Sequence, residues 1–252
     1  MKWSPSAAKS EVKVYVEKPT FTHFRKRSKN ILCQDVVQDS STLQYKNVVK
    51  QLGFLLEKNF SMDLQIEQIR KRIEPIVGVL YKIRNYTSKK VLMTVFHAHI
   101  QSHLSHLASI YSFGSASSMQ KLQVLQNRAL KIIHRLEPTF HTLDLYQKTV
   151  INIIPVKALG FYQTCMFVWK KMHNETHSNI IFDVQLSSHN TRGLNKLKPA
   201  KVISEIGAAA ITHYGPKVFN NLPQNVINQP TKECFKQHLK RHIIEEKLNE
   251  FI

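Results

Sequence analysis

Ile66, Ile69, Ile73, Ile76, Leu80 and Ile83 recur at alternating steps of three and four residues. A strand, with its period of two, would scatter these side chains over both faces, whereas an α-helix gathers them on one. The stretch from Ser61 therefore reads as a helix with an apolar seam, and such a seam needs another element to cover it. Pro75 lies inside it and predicts a kink. Left uncovered, the same seam would be a surface for a protein partner.

Other segments carry helix signals of the same kind. Ser88 precedes KKVLMTVFHAHIQSHLSHLASIY as an N-cap. KLQVLQNRALKIIHRL (121–136) is a further helix. Another starts at Pro155, with proline in the first turn, and runs through ALGFYQTCMFVWKKM. A last one begins near Thr231 and places Phe235, Leu239 and Ile243 on one side. Strand signals are shorter. EVKVYVE (11–17) alternates, and QLGFLLE (51–57) reads as a strand with a bulge at Gly53. KVISEI and AAAITHY read as short strands before a Gly-Pro turn at 215–216. The expected fold is α+β and predominantly helical: short N-terminal strands, a helical bundle and a small α+β tail. At 252 residues the chain is long enough to bury a real core.

Charge narrows the function. Lys and Arg number 36 against 17 Asp and Glu, a formal charge of +19, with 13 His in addition. A compact chain with that excess repels itself, so a polyanionic partner is the economical explanation. Basic residues spread along the chain instead of flanking one apolar helix, which favours RNA, DNA or an RNA–DNA hybrid over a membrane surface. No run of apolar residues is long enough to span a membrane, and MKWSPSAAKSEVKVYV lacks the apolar core of a signal peptide. Cys33, Cys165 and Cys234 form no CxxC pair, so a reducing compartment, nuclear or cytoplasmic, is the default.

The segment 121–136 joins these two lines of reasoning. At about 100° per residue, Leu122, Leu125, Ala129, Ile132, Ile133 and Leu136 share one arc. Lys121, Arg128, Lys131 and Arg135 share the neighbouring one. A helix of this kind packs with its first face and offers a row of cations to phosphates with its second.

Several words occur in fixed order: LGFLLEKNFS (52–61), IVGVLYKIRNY (76–86), IQSHL (100–104), KLQVLQNRALKII (121–133), HNTR (189–192), YGPKVFNNLP (214–223) and FKQHLK (235–240). That ordered set resembles the end of the reverse transcriptase of LINE-type, non-LTR retrotransposons, of the jockey-like group. The resemblance implies that residues 1–57 are the last strands of a polymerase palm, that 61–150 form the helical thumb, and that 151–252 are a C-terminal tail. It implies that Leu52 and Gly53 lie near the primer end and that Arg128 and Lys131 are thumb cations. His189, Arg192, Gly215, Pro216 and Lys217 mark the tail, with Arg192 and Lys217 as further nucleic-acid contacts. The implied partners are RNA–DNA or other A-like duplexes read by shape, the rest of the palm, and other proteins of the element. Gln51 and Glu57 stand where relatives usually carry an aromatic residue and an Asp. Tyr111 and His106 stand in place of a common Trp and Tyr.

Reverse transcription requires magnesium held by closely placed aspartates, usually an Asp-Asp turn and a third Asp. The sequence has no Asp-Asp pair; Asp35, Asp39, Asp63, Asp144 and Asp183 stand apart. Catalysis by this chain alone is therefore not expected, and neither is a cofactor or a small-molecule substrate. His99, His103 and His106 share a helix face at spacings that suit zinc or copper, without an acidic or sulfur ligand nearby in sequence. Trp3, Trp169 and Cys165 read as core residues. Phe21, Phe24, Arg25, Lys26 and Arg27 interleave aromatics with cations.

Overall fold

The computed structural model describes residues 20–22, 24, 37–38, 41–42, 44–147, 153–185 and 196–251. The expectations for EVKVYVE, Trp3, the cations Arg25, Lys26 and Arg27, Cys33, His189 and Arg192 lie outside the described residues.

The architecture is α+β and predominantly helical. Short strands come first: β1 (Thr20–Phe21), β2 (Val37–Gln38), β3 (Ser41–Thr42), β4 (Gln44–Tyr45), β5 (Val48–Gln51) and β6 (Phe54–Glu57). β1 pairs parallel with β4, while β2–β3 and β5–β6 are antiparallel. QLGFLLE is thus not one bulged strand. Gln51 faces Phe54 across β5–β6, and Leu52 and Gly53 form the two-residue turn, with φ of 50° and 80°. Positive φ at both central positions matches the right-handed strand twist, and glycine at the second makes it accessible.

Next come α1 (Asp63–Ile83), α2 (Lys89–Val95), a π-helical turn (Phe96–Gln101), α3 (Ser102–Ser105), α4 (Ala108–Tyr111) and α5 (Ala116–His134). Then follow α6 (Thr142–Gln147), α7 (Val156–Met172), β7 (Val184–Gln185) and β8 (Lys196–Leu197), which pair antiparallel. The chain ends in α8 (Glu205–Ala208), α9 (Ile211–Asn220), α10 (Gln224–Ile227), α11 (Lys232–Glu245) and α12 (Leu248–Phe251).

The seam that opens the helical region is covered. Ile66, Ile69, Ile73 and Leu80 are buried, and Ile76 and Ile83 pack partly buried against the same core. It is therefore not an open face for a partner. The main cover is α5, and the two helices run parallel. At their starts Ser115 Oγ donates to Asp63 Oδ1 at 2.7 Å; at their ends an Arg135 guanidinium N–H reaches the Arg84 carbonyl at 3.2 Å. α1 continues through Pro75 as a single helix.

The long helix foreseen after Ser88 is divided. Ser88 does cap it, its hydroxyl accepting from the Val91 N–H at 3.4 Å. The π-helical turn interrupts the α-helical ladder, and Leu107 takes a left-handed conformation, φ 53°, between α3 and α4. Gln163 from α7 bridges that break: its amide donates to the Ser105 carbonyl at 2.5 Å and accepts from the Ser109 N–H at 3.1 Å.

KVISEI and AAAITHY are not strands, and Gly215-Pro216 is not a turn. Both residues sit inside α9. Pro216 has no N–H to return to the Thr212 carbonyl, and that carbonyl instead accepts from the Ala200 N–H at 3.0 Å. A Cβ on Gly215 would stand 3.0 Å from Val168 Cγ2, so glycine lets α9 lie close to α7. Trp169 is the anchor its sequence position suggested: it is buried and stacks on Phe235 of α11 at 5.4 Å. Thr231 caps α11 by accepting from the Cys234 N–H, and Cys165 is buried.

Acid weakens this fold in two separate windows. Burial pushes the His134 imidazole below its ordinary pKa, with Lys89 adding to it; burial does the same to His103, with Arg72, His99 and His106 adding. A histidine lowered in the folded state favours folding fully above its unfolded pKa, so stability is lost as pH falls below about 6.5. Asp63 is held below the usual carboxylate range by Ser118 and Ser115, so its contribution is lost only below about pH 4. Thermal unfolding of His134→Leu is expected to depend less on pH between 6.5 and 5 than the parent, with no change in the lower window. Parallel curves would refute the assignment to His134.

Candidate nucleic-acid interface

The cationic helix face is placed by two buried amides on its other side. On α5, Gln123 and Gln126 are only 1% and 0% exposed, beside Leu122, Leu125, Ala129 and Ile133. The Gln126 amide donates to the Ile154 carbonyl at 3.0 Å and accepts from the Val156 N–H at 2.9 Å. It thereby mimics a backbone partner for the entry into α7. Tyr146 Oη donates to the same Gln126 oxygen and accepts from Gln123 Nε2, both at 2.9 Å. With the inner face so committed, the rotation of α5 is fixed and Arg128 must face solvent.

A groove of about 910 Å³ lies between α5 and the C-terminal end of α1, lined by Arg84, Arg128, Lys131 and Arg135 among others. Each cation arrives by a different route. Arg128 is exposed on α5 and makes no hydrogen bond or ion pair among the described residues. Lys131 donates to the Pro138 carbonyl at 2.6 Å. The chain leaves the helix at His134, and Arg135 takes the left-handed position, φ 55°, where the Leu136 N–H closes back on the Lys131 carbonyl at 2.9 Å. This is the usual glycine position of a helix end; here an arginine occupies it, and its side chain reaches across to α1. Arg84 lies 3.6 Å over the Tyr81 ring and donates to the Tyr81 carbonyl at 2.7 Å. Among groove-lining residues one carboxylate, Glu137, opposes these charges.

Not every cation foreseen for the interface joins the groove. Lys121 is exposed about two turns before Arg128 on α5 and does not line the groove; its charge, with that of Lys71, helps hold Glu67 of α1 below the usual carboxylate range, where Arg70, bonded to Glu67 at 2.8 Å, is the principal partner. Lys217 is exposed on α9, which packs on α7, β8 and α8 and lines no part of the groove. Leu52, 86% exposed, and Gly53 form the tip of the β5–β6 hairpin. That hairpin is pinned to the start of α1 by the Leu55 N–H donating to buried Gln65 at 2.9 Å. Tyr81 and Arg84, which line the groove, stand at the other end of α1, roughly 25 Å from Gln65 along the helix axis.

Arg84 and Tyr81 escaped the sequence reading, although their spacing of three residues on one helix was a usable signal. His97, His99 and His106 are exposed and His103 is half-buried. Among the described residues no three His, Cys, Asp or Glu side chains are placed to hold a metal ion. No described helix is long and apolar enough to cross a membrane. No family model, curated protein or solved structure matches the chain.

Proposed function

We propose that this chain is a non-catalytic nucleic-acid-binding segment, related to the thumb end of a LINE-type reverse transcriptase, that holds RNA, DNA or their hybrid in the groove between α1 and α5. The observation that carries the reading is the convergence of Arg84, Arg128, Lys131 and Arg135 on one groove against the single carboxylate of Glu137. Lys131 and Arg135 are already tethered to backbone carbonyls, so less side-chain freedom is lost when phosphates arrive. Each keeps donors to spare, an ammonium having three and a guanidinium five.

The test is fluorescence anisotropy of the full chain with labelled nucleic acid across a salt series. Replacing Arg128, Lys131 and Arg135 together by Ala is expected to flatten the slope of log K against log salt by about 2–3, one phosphate contact per cation, whatever the base sequence. A variant with unaltered circular dichroism and an unchanged slope would sink the reading.

The ordered words of the sequence also support a second reading, that the chain is the end of a complete RNA-directed DNA polymerase whose magnesium-binding aspartates lie upstream. An in-frame Asp-Asp turn in the transcript ahead of Met1 is the expected result, and a stop codon there with no such turn would end that reading.

A further inference from the structure

The groove holds more than cations. Tyr81 and Val124 are each 52% exposed within it, next to the carboxamides of Asn85 and Gln120. A duplex has no use for such a floor: it turns phosphates and sugars outward and keeps the faces of its bases stacked inside. Laid across the ends of α1 and α5, it would reach the cations and set its polar backbone on an aromatic ring and a valine. A single strand presents unpaired π-faces and phosphates together, and it is bound by aromatic platforms interleaved with cations. The groove, about 910 Å³ in volume, is on the scale of a small-molecule pocket and has room for a short run of nucleotides.

We infer that the groove between the ends of α1 and α5 takes an unpaired, single-stranded segment, with a base stacked on the Tyr81–Arg84 pair and the flanking phosphates on Arg128, Lys131 and Arg135. The inference rests on the nucleic-acid reading above and replaces the duplex expected from the sequence with an unpaired strand. Arg84 covers one side of the Tyr81 ring at 3.6 Å. A base added to that stack gains from both the ring and the guanidinium plane. The amides of Asn85 and Gln120 offer both donors and acceptors, suited to the edges of any base.

The experiment compares a labelled single-stranded oligonucleotide with a blunt RNA–DNA hybrid of equal length, using parent, Tyr81→Ala and Tyr81→Phe chains. The single strand is expected to bind more tightly than the hybrid at equal salt. Tyr81→Ala is expected to cost roughly ten-fold for the single strand and little for the hybrid, leaving the salt slope unaltered because no charge is removed. Tyr81→Phe, which keeps the ring, should retain most of the affinity. Equal or tighter binding of the hybrid, or equal losses on both ligands, would overturn the inference while the nucleic-acid reading stood. Displacement of the oligonucleotide by polyglutamate at matched charge concentration would also overturn it, since the groove would then respond to charge alone. Salt-independent binding to both ligands would overturn the inference and the proposed function together.

Discussion

Gln126→Met is expected to destabilise the chain by about 3–5 kcal/mol, although the replacement is apolar, of similar length and located in the core. The side chain is 0% exposed and, among the described residues, is the sole hydrogen-bond partner of two backbone groups, the Ile154 carbonyl and the Val156 N–H. Methionine fills the space and satisfies neither. Each buried orphan costs about 1–3 kcal/mol; Tyr146 keeps Asn127 Oδ1 as an acceptor at 2.8 Å, so the two backbone groups carry the loss. The readout is urea unfolding followed by circular dichroism, with a lower midpoint at unchanged m. A loss below about 1 kcal/mol would mean that water replaces the amide and that the entry into α7 is held by packing alone. Because α7 carries Trp169 against Phe235 of α11, the effect should extend beyond α5.

Gly160→Ala is expected to cost about 2 kcal/mol, in a helix where alanine is intrinsically the better residue by about 1. A Cβ built at Gly160 would overlap Oγ and Cβ of Ser112 and stand 3.0 Å from the Ala108 carbonyl. That carbonyl already accepts from the Ser112 N–H at 3.1 Å and cannot turn aside. Restoring the space from the other side identifies the cause. Ser112→Gly removes the two overlapping atoms, so the double variant should recover about 1–2 kcal/mol relative to additivity. Strictly additive losses would place the cost of Gly160→Ala elsewhere than the α4–α7 contact.

These two positions show why the sequence underreports the fold. A helical wheel of residues 121–136 assigns Gln123 and Gln126 by polarity, and polarity points them outward. In the LQNR word, the leucine, the buried Gln126 and the half-buried Asn127, whose Oδ1 accepts from Tyr146 at 2.8 Å, all serve the interior. The arginine faces the groove without an inward partner, and Asn127 meets both the interior and the groove wall. Gln65 and Gln163 act in the same way, holding the β5–β6 hairpin and the break between α3 and α4. An amide turns inward only when a backbone group distant in sequence needs it, and periodicity carries no record of that need.

The cationic row was half legible. Arg128, Lys131 and Arg135 could be assigned to one side of a helix from spacing alone. Arg84 and Tyr81 come from α1, fifty residues earlier in the chain, and they join the groove because α1 and α5 run parallel with their ends level. A hairpin pairing of the same two helices would have set Arg84 beside the start of α5, away from Lys131 and Arg135. Lys121, in the same arc as Arg128, does not line the groove.

What the sequence determined by itself is the set of elements whose causes are local. The seam from Ile66 to Ile83, the caps at Ser88 and Thr231, the start of α7 at Pro155 and the excess of positive charge all follow from neighbours within a few residues. Tertiary structure alone decided the rest. It made a helix of Gly215-Pro216, because Ala200 supplies the donor that satisfies the Thr212 carbonyl and because glycine admits Val168. It turned the glutamines inward and closed Arg84, Arg128, Lys131 and Arg135 around one groove. Hydrogen-bond satisfaction and close packing are settled between segments far apart in the chain, and there the local preferences of residues give way.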